Sequence, residues 1–537
     1  MSHLALGEVE ALTSKAPYIA DPLALYELLT EHGERKQTLL LESAEVDSKA
    51  NLKSLLLLDA ALKISCKGHK VTVSALTDNG ENALSALIGA LPGTVDVSRN
   101  ELTATLNFPV VGEILDEEER LKALSPLEAL RCAVNQLKTR GDNDDAIFLG
   151  GTFAYDLIAN FEPLPDVEEG DNNCPDFLFY LAETLLVIDH QTNDTKISGC
   201  VFGGESASEQ FYLKTRRLEE LVDTLSSFSP DQLSAKELKP ASLEVTTDTD
   251  DETFCKYVEQ LKGNIHCGDI FQVVPSRSFH IDCPDSLLAY RELKASNPSP
   301  YMFYVNDEDF VLFGASPESA LKYGQSDRQV EVYPIAGTRR RGFNPNGTIN
   351  RDLDSRNELE LRLDKKELAE HIMLVDLARN DIARIASPAS RHVAELLKVD
   401  RYSHVMHLVS RVVGELRQDL DALHAYQACM NMGTLVGAPK IRAAQLIRDI
   451  EGKRRGSYGG AVGYLNGKGD MDTCIVIRSA FVRDGQATIQ AGAGVVFDSL
   501  PQAEADETRN KAQAVISAIS AANKKLNQQF EQGANHG

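Results

Sequence analysis

Residues 226–252, SSFSPDQLSAKELKPASLEVTTDTDDE, are rich in Ser, Pro, Thr and acidic side chains and carry no sustained apolar period. A segment with so little to bury does not run through a core, so it divides the chain. Apolar alternation and helical periods fill both sides of it, and 537 residues with 43% hydrophobic content would be unusual as one compact domain. The expectation is two domains or a pair of intergrown sheets. An N-terminal domain covers 1–225, the linker 226–252, a second domain 253–525, and a flexible tail 526–537.

In the first half, TLLLESA (38–44) and KVTVSAL (70–76) read as strands and ENALSALIGAL (81–91) as a helix. AIFLGGTFAYDLIANFE (146–162) reads as a buried strand, a Gly-Gly turn and a helix, and FLFYLAETLLVID with TKISGCVFG as a hairpin across QTNDT. The second half opens with a helix, ETFCKYVEQLKGNIHCGD, and a strand, IFQVVPSRSFHI. NPSPYMFYV follows, its prolines forcing an extended entry. FVLFGASPESALKYG then reads as two strands joined at Ser316-Pro317-Glu318.

Lys and Arg total 55 against 80 Asp and Glu, and the formal charge of −25 argues against nucleic acid as the main partner. A small anion therefore needs a locally basic or metal-loaded site. The nine cysteines are scattered, odd in number and free of CxxC pairs, as in a reduced inventory. MSHLALGEVEALTSK has no basic region leading into an apolar core, and the longest aliphatic run, LLLL at 55–58, is too short to span a bilayer. A soluble, cytoplasmic protein is expected.

Several stretches carry chemistry. In PIAGTRRRG (334–342), Ala336 and Gly337 let a ligand approach the backbone, beside the Thr338 hydroxyl and three arginines. This is either the floor of an anion site or a strand end with a solvated basic turn. RNELELRLDKKELAEHIMLVDLARND reads as one helix whose apolar stripe includes Leu361, Leu368, Ile372 and Val375, with Glu367 and Glu370 on one side of it. PQAEADETRNKAQAVISAIS is another helix, with Ala512, Val515, Ile516 and Ile519 buried and Glu504, Glu507 and Lys511 sharing a face. Two such helices could hold a hard divalent ion that keeps several waters, whereas either pair alone reads as a solvated acidic face. Between them, Pro439 suits the start of a helix striped by Ala443, Leu446, Ile447 and Ile450, and Tyr458 sits among glycines. TCIVIRSAF and ATIQAGAGVVFD read as paired strands that bring Arg478 to the turn Gly492-Ala493-Gly494. An arginine in such a strand is either in an internal ion pair or aimed into a pocket.

In this order and spacing, PIAGTRRRG, ELAEHIMLVDLARND, VMHLVSRVVGEL, GTLVGAPK, RRGSYGGAVGY and IQAGAGVVFDSLPQAEADETRNKA resemble the chorismate-utilising enzymes, and within them the anthranilate synthase large components. The resemblance covers the second half densely and the first half through LLLES. It implies an α/β (α+β) fold of two intergrown domains, with large, mainly antiparallel sheets flanked by helices. It also implies Mg2+-dependent conversion of chorismate and ammonia to anthranilate and pyruvate, the first committed step of tryptophan biosynthesis. By the same resemblance, Glu367, Glu370, Glu504 and Glu507 form the Mg2+ shell, directly or through water. Arg478 and Tyr458 grip the enolpyruvyl carboxylate with backbone groups of Gly492 and Gly494. Ala336, Gly337, Thr338, Thr434 and Lys511 are further substrate contacts. Glu318 is the general acid for departure of the 4-hydroxyl, His407 assists acid–base chemistry or positions the substrate, and Thr338 is counted with them as catalytic.

Aminodeoxychorismate synthases commonly carry lysine where this chain has Ala336, which leaves room for free ammonia. An enzyme of that kind, or a catalytically silent tryptophan-sensing subunit, is the alternative. Val436 stands where the family often has serine. With no glutaminase domain following the last acidic helix, the resemblance implies a hetero-oligomer with a separate glutaminase subunit. It further implies feedback by L-tryptophan at Leu41, Glu42, Ser43, Lys53, Pro300, Tyr301, Met302 and Cys474.

Overall fold

The computed structural model describes residues 4–43, 52–110, 116–141, 143–229, 240–402 and 405–534. Residues 230–239 of the expected linker and 535–537 of the expected tail lie outside them. Phe177–Asp189 and Asp194–Phe202 form the expected antiparallel hairpin. The first of these strands is buried almost throughout, and it is also paired along its edges with Lys53–Lys67 and Phe148–Phe153.

Among the described residues, strands from both halves join one 23-stranded network, antiparallel except for the short pairing of Glu8–Ala16 with Lys138–Thr139. Thr38–Glu42 lies between Lys53–Lys67 of its own half and Tyr301–Asn306 of the other. Phe148–Phe153 likewise lies between Phe177–Asp189 and Ala461–Asn466. The halves are therefore intergrown, since parting them would strip two central strands of a partner. The apolar core crosses with them: Leu149 and Leu181 are buried in one cluster with Leu321 and Ile475. A buried ion pair, Arg448 to Asp156 at 2.8 Å, also bridges the two.

Several local expectations change. Gly150 and Gly151 are not a turn but lie inside a strand, where a Cβ on Gly151 would meet the Leu178 carbonyl oxygen at 2.0 Å. IFQVVPSRSFHI divides into Gln272–Val273 and Ser276–Asp282 around Pro275. The single helix expected over 356–381 is two, Arg351–Leu363 and Lys365–Ala383. Asp364 ends the first and caps the second, accepting hydrogen bonds from the backbone N–H groups of Lys366 and Glu367. Ile372, expected in the apolar stripe, is 40% exposed. The last helix, Pro501–Ala534, continues through most of the expected tail, with Ala512, Val515, Ile516 and Ile519 buried as read. All nine cysteines lie among the described residues, and none is in a disulfide. Among the described residues no helix is long and apolar enough to cross a membrane.

Candidate active site

The strand Ile335–Arg340 pairs antiparallel with Val405–Glu415 and places Thr338 opposite His407, with a bulge between Ala336 and Thr338. Gly337 sits in that bulge at φ +78°, and a Cβ there would lie 3.0 Å from Leu361 and 3.2 Å from a Glu367 carboxylate oxygen. Only glycine allows both the left-handed backbone and the close approach. The bulge thus sets the PIAGT backbone directly against the first acidic helix.

His407 Nδ1 lies 3.0 Å from Thr338 Oγ1 and 3.2 Å from the Gly337 carbonyl oxygen. A carbonyl only accepts, so this geometry assigns the ring proton to Nδ1 and leaves a lone pair on Nε2. Burial pushes the imidazole down to about 4, with Arg478 adding to the effect, so the ring is neutral near pH 7. It is therefore suited to accept a proton or a hydrogen bond rather than to act as a cation. Tyr402 packs edge-on against it at 5.3 Å.

The three arginines do not form a free cationic floor. Arg339 donates to Glu367 (3.1 Å) and Asp364 (2.7 Å), and Arg341 to Asp354 (2.9 Å) and the Tyr402 carbonyl (2.7 Å), leaving Arg340 exposed. Residue type alone could not assign these partners, because Asp364 is a helix cap only where the expected single helix breaks.

The two acidic helices converge. Burial raises the Glu370 carboxyl to about 7, and Lys366 offsets only part of this, while Glu367, Glu504 and Glu507 each push it further up. Glu504 is also raised, by burial first and by Glu507, against a hydrogen bond from Ser499. Cations temper the cluster: Lys511 meets Glu507 at 2.6 Å and Lys366 meets Glu370 at 3.8 Å. Among the described residues no three His, Cys, Asp or Glu side chains are grouped closely enough to enclose an ion. A metal held here would therefore be held partly through water.

Glu318 lies in the turn between Val311–Ser316 and Ser319–Gly324, within the field of Lys511, the residue that pairs with Glu507. It is 6% exposed, accepts a hydrogen bond from Thr434 Oγ1 at 3.2 Å, and is pushed up to about 8 by burial. Thr434, Lys511, the Ile335 amide and Arg478 all work against that rise and do not cancel it. At neutral pH Glu318 is largely a protonated, buried acid.

Arg478 is not inside a strand. It lies between Met471–Ile475 and Ser479–Arg483 at φ +50°, where the chain passes from one set of strand partners to another. Neither an internal ion pair alone nor a free pocket arginine describes it: one Nη donates to the Lys511 carbonyl at 3.0 Å, and its field reaches Tyr458, Glu507 and Glu318. Lys511 in turn donates to the Gly492 carbonyl at 3.0 Å. Gly492 is packed so closely that a Cβ would meet the Pro275 carbonyl oxygen at 2.8 Å and the Tyr458 hydroxyl at 3.1 Å. Gly494 abuts Gln272 in the same way, at 2.7 Å. Val436 is fully buried in an apolar cluster with Tyr155 and Phe254, so this position serves the core.

The residues expected to bind an effector divide between two faces. Glu42 stands opposite Met302, and Leu41 opposite Phe303, so strand alternation sends the pairs to opposite sides. Glu42, Ser43 and Met302 line a cavity of about 210 Å³ with Ser54, His190 and Lys294. There Glu42 accepts from the Tyr290 hydroxyl (2.8 Å) and the Lys294 ammonium (2.5 Å). Leu41, Tyr301 and Cys474 belong to the apolar cluster behind the sheet, Pro300 is buried just before its strand, and Lys53 is exposed, 3.7 Å from Asp189.

Residues 98–517 match the family described as chorismate binding enzyme. Over 517 residues the chain is 59% identical to anthranilate synthase component 1 of Vibrio parahaemolyticus, covering 96% of this chain and 94% of that protein. It is 56% identical over 514 residues to anthranilate synthase component 1 of Escherichia coli, covering 96% and 97%. The crystal structure of anthranilate synthase component I from Streptococcus pneumoniae superposes with a TM-score of 0.68 at 27% identity, covering 94% of this chain and all of that one. With near-complete coverage at such identity, the chain belongs to the chorismate-binding enzymes, in the anthranilate synthase component 1 branch.

Proposed function

We propose that the chain converts chorismate and ammonia to anthranilate and pyruvate in the cytoplasm, with Mg2+ as cofactor. The observation that carries this reading is Glu318: a buried carboxyl raised to about 8, set among Thr434, Lys511 and Arg478. Addition of ammonia at ring carbon 2 shifts the ring double bonds and expels the 4-hydroxyl, which leaves as water only if a proton is supplied. Glu318 is protonated at neutral pH and supplies it. Arg478, with the Tyr458 hydroxyl and the Gly492 and Gly494 backbone, orients the enolpyruvyl carboxylate. The neutral His407 presents Nε2 as an acceptor for proton removal or substrate orientation. Ala336 adds no amine of its own, which favours free ammonia over attack by a side chain and so disfavours an aminodeoxychorismate-type reaction.

Glu367, Glu370, Glu504 and Glu507 fit Mg2+: an all-oxygen set whose mutual repulsion lifts Glu370 is what a hard divalent cation relieves, with waters filling the remaining distance. Bound there, the ion supplies Lewis-acid stabilisation of charge as the hydroxyl departs.

Ammonia comes from glutamine on a separate glutaminase subunit. Glutamine hydrolysis needs an accessible activated thiolate, and seven of the nine cysteines here are buried. The isolated chain is expected to make anthranilate from ammonium at alkaline pH and to be inert with glutamine until a glutaminase partner is added. Glutamine-dependent turnover by the rigorously purified chain alone would overturn this.

The cavity at Glu42, Ser43 and Met302 is proposed to take L-tryptophan as inhibitor. Its paired charge, Glu42 with Lys294, can address an amine and a carboxylate, and Met302 offers an apolar wall. Ser43→Phe should fill it, weakening tryptophan inhibition by about tenfold or more while uninhibited turnover stays near normal. An unchanged inhibition curve in a variant with wild-type circular dichroism would remove the effector from this cavity.

A further inference from the structure

Among the described residues, Arg455 and Arg277 are the largest side chains that are almost wholly buried, and Arg455 touches three segments of the site at once. Its Nε and Nη2 donate to Glu451 at 2.9 and 2.5 Å, Nη1 donates to the Leu435 carbonyl at 2.8 Å, and Nη2 donates to the Val274 carbonyl at 2.7 Å. The guanidinium lies against the rings of Tyr155 and Tyr458, 4.7 and 5.6 Å from their centroids. Glu451 completes the arrangement by accepting from the Ser276 backbone N–H (2.7 Å) and hydroxyl (2.8 Å). Ser276 stands opposite Gly492 in the sheet.

Each tethered segment carries a group already assigned to substrate. Leu435 follows Thr434, Val274 and Pro275 back the tightly packed Gly492, and Tyr458 is itself part of the grip. We propose that the Arg455–Glu451 pair is the positioning element of the carboxylate-binding wall, fixing Tyr458, Thr434 and Gly492 in one register without touching the substrate. This rests on the chorismate reading given above. A planar fork with five donors can serve a carboxylate and two carbonyls while stacking on aromatic faces, which an ammonium cannot do. Stability is a weak reason for such a pair, because a buried ion pair can often be replaced by apolar residues without loss. Removing one partner alone would strand the other charge.

The test uses the full chain with ammonium as nitrogen donor and compares wild type, Arg455→Lys and the charge-neutral Arg455→Met/Glu451→Leu. The double variant is expected to raise the KM for chorismate about tenfold or more, since Tyr458 and Gly492 bind ground and transition states alike, and to lower kcat by a smaller factor through Thr434, which donates to Glu318. Arg455→Lys should lie between it and wild type. Calorimetric titration of chorismate without a nitrogen donor should show the same loss of affinity. A folded double variant with wild-type KM and affinity overturns the proposal. If the double variant does not fold, unchanged values in Arg455→Lys overturn it equally. Wild type that neither binds nor consumes chorismate would instead sink the substrate reading.

Discussion

Glu318→Gln should lower chorismate turnover by about 10²–10⁴-fold with little change in KM, because it removes a proton donor and keeps the shape and the Thr434 contact. Burial holds the wild-type carboxyl near 8. With free ammonia held saturating at every pH, wild-type turnover should therefore decline as pH rises through about 8 and the donor is lost. Glutamine has no such titration. The same residue should tax stability. In the unfolded chain a glutamate titrates near its ordinary value, so between there and about 8 the folded state binds more protons and loses stability as pH rises. Glu318→Gln removes that loss. Its melting advantage over wild type should be small at acid pH and grow toward pH 8, reaching on the order of a few kcal/mol. Near-normal turnover in the folded variant would assign the leaving-group proton to another residue.

Glu370→Gln and Glu507→Gln should each abolish most Mg2+-dependent turnover, by about 10²-fold or more, with the fold intact. The two carboxylates lie on helices that approach from different parts of the chain, and each enters the electrostatics of the cluster. If both serve one ion, the first substitution disables the unit and the second adds little, so the double variant should fall well short of the product of the singles. Activity at saturating chorismate across a Mg2+ titration measures this. Near-normal activity in both single variants, or strictly multiplicative losses, would break the shared-ion account.

The carboxylates were legible in the sequence because helical spacing alone puts Glu367 with Glu370 and Glu504 with Glu507. What brings the two pairs together is not written locally: it needs the cap at Asp364 and the glycine bulge at Gly337 to set one helix against the PIAGT strand. Arg478 looked like a strand residue because its neighbours are apolar, whereas the chain leaves the strand there through a left-handed residue that no β-propensity predicts. The Gly150-Gly151 pair looked like a turn for the opposite reason, since glycine marks turns and close strand crossings alike. The proposed effector residues are alternate members of paired strands. Their division into Glu42 with Met302 and Leu41 with Tyr301 appears only once the register is known. Arg455 carried no signal of its own beside Arg454, because both are arginines before a glycine and only one is fully buried.

On the function proposed above, this site joins ammonia to chorismate and then releases pyruvate. The most direct measurement supplies the purified chain with chorismate, Mg2+ and ammonium and quantifies every product together. Anthranilate and pyruvate appearing in equal amounts, with no turnover when Mg2+ is chelated, is the predicted result. Accumulation of aminodeoxychorismate or isochorismate without pyruvate, or no consumption of chorismate at all, would contradict it.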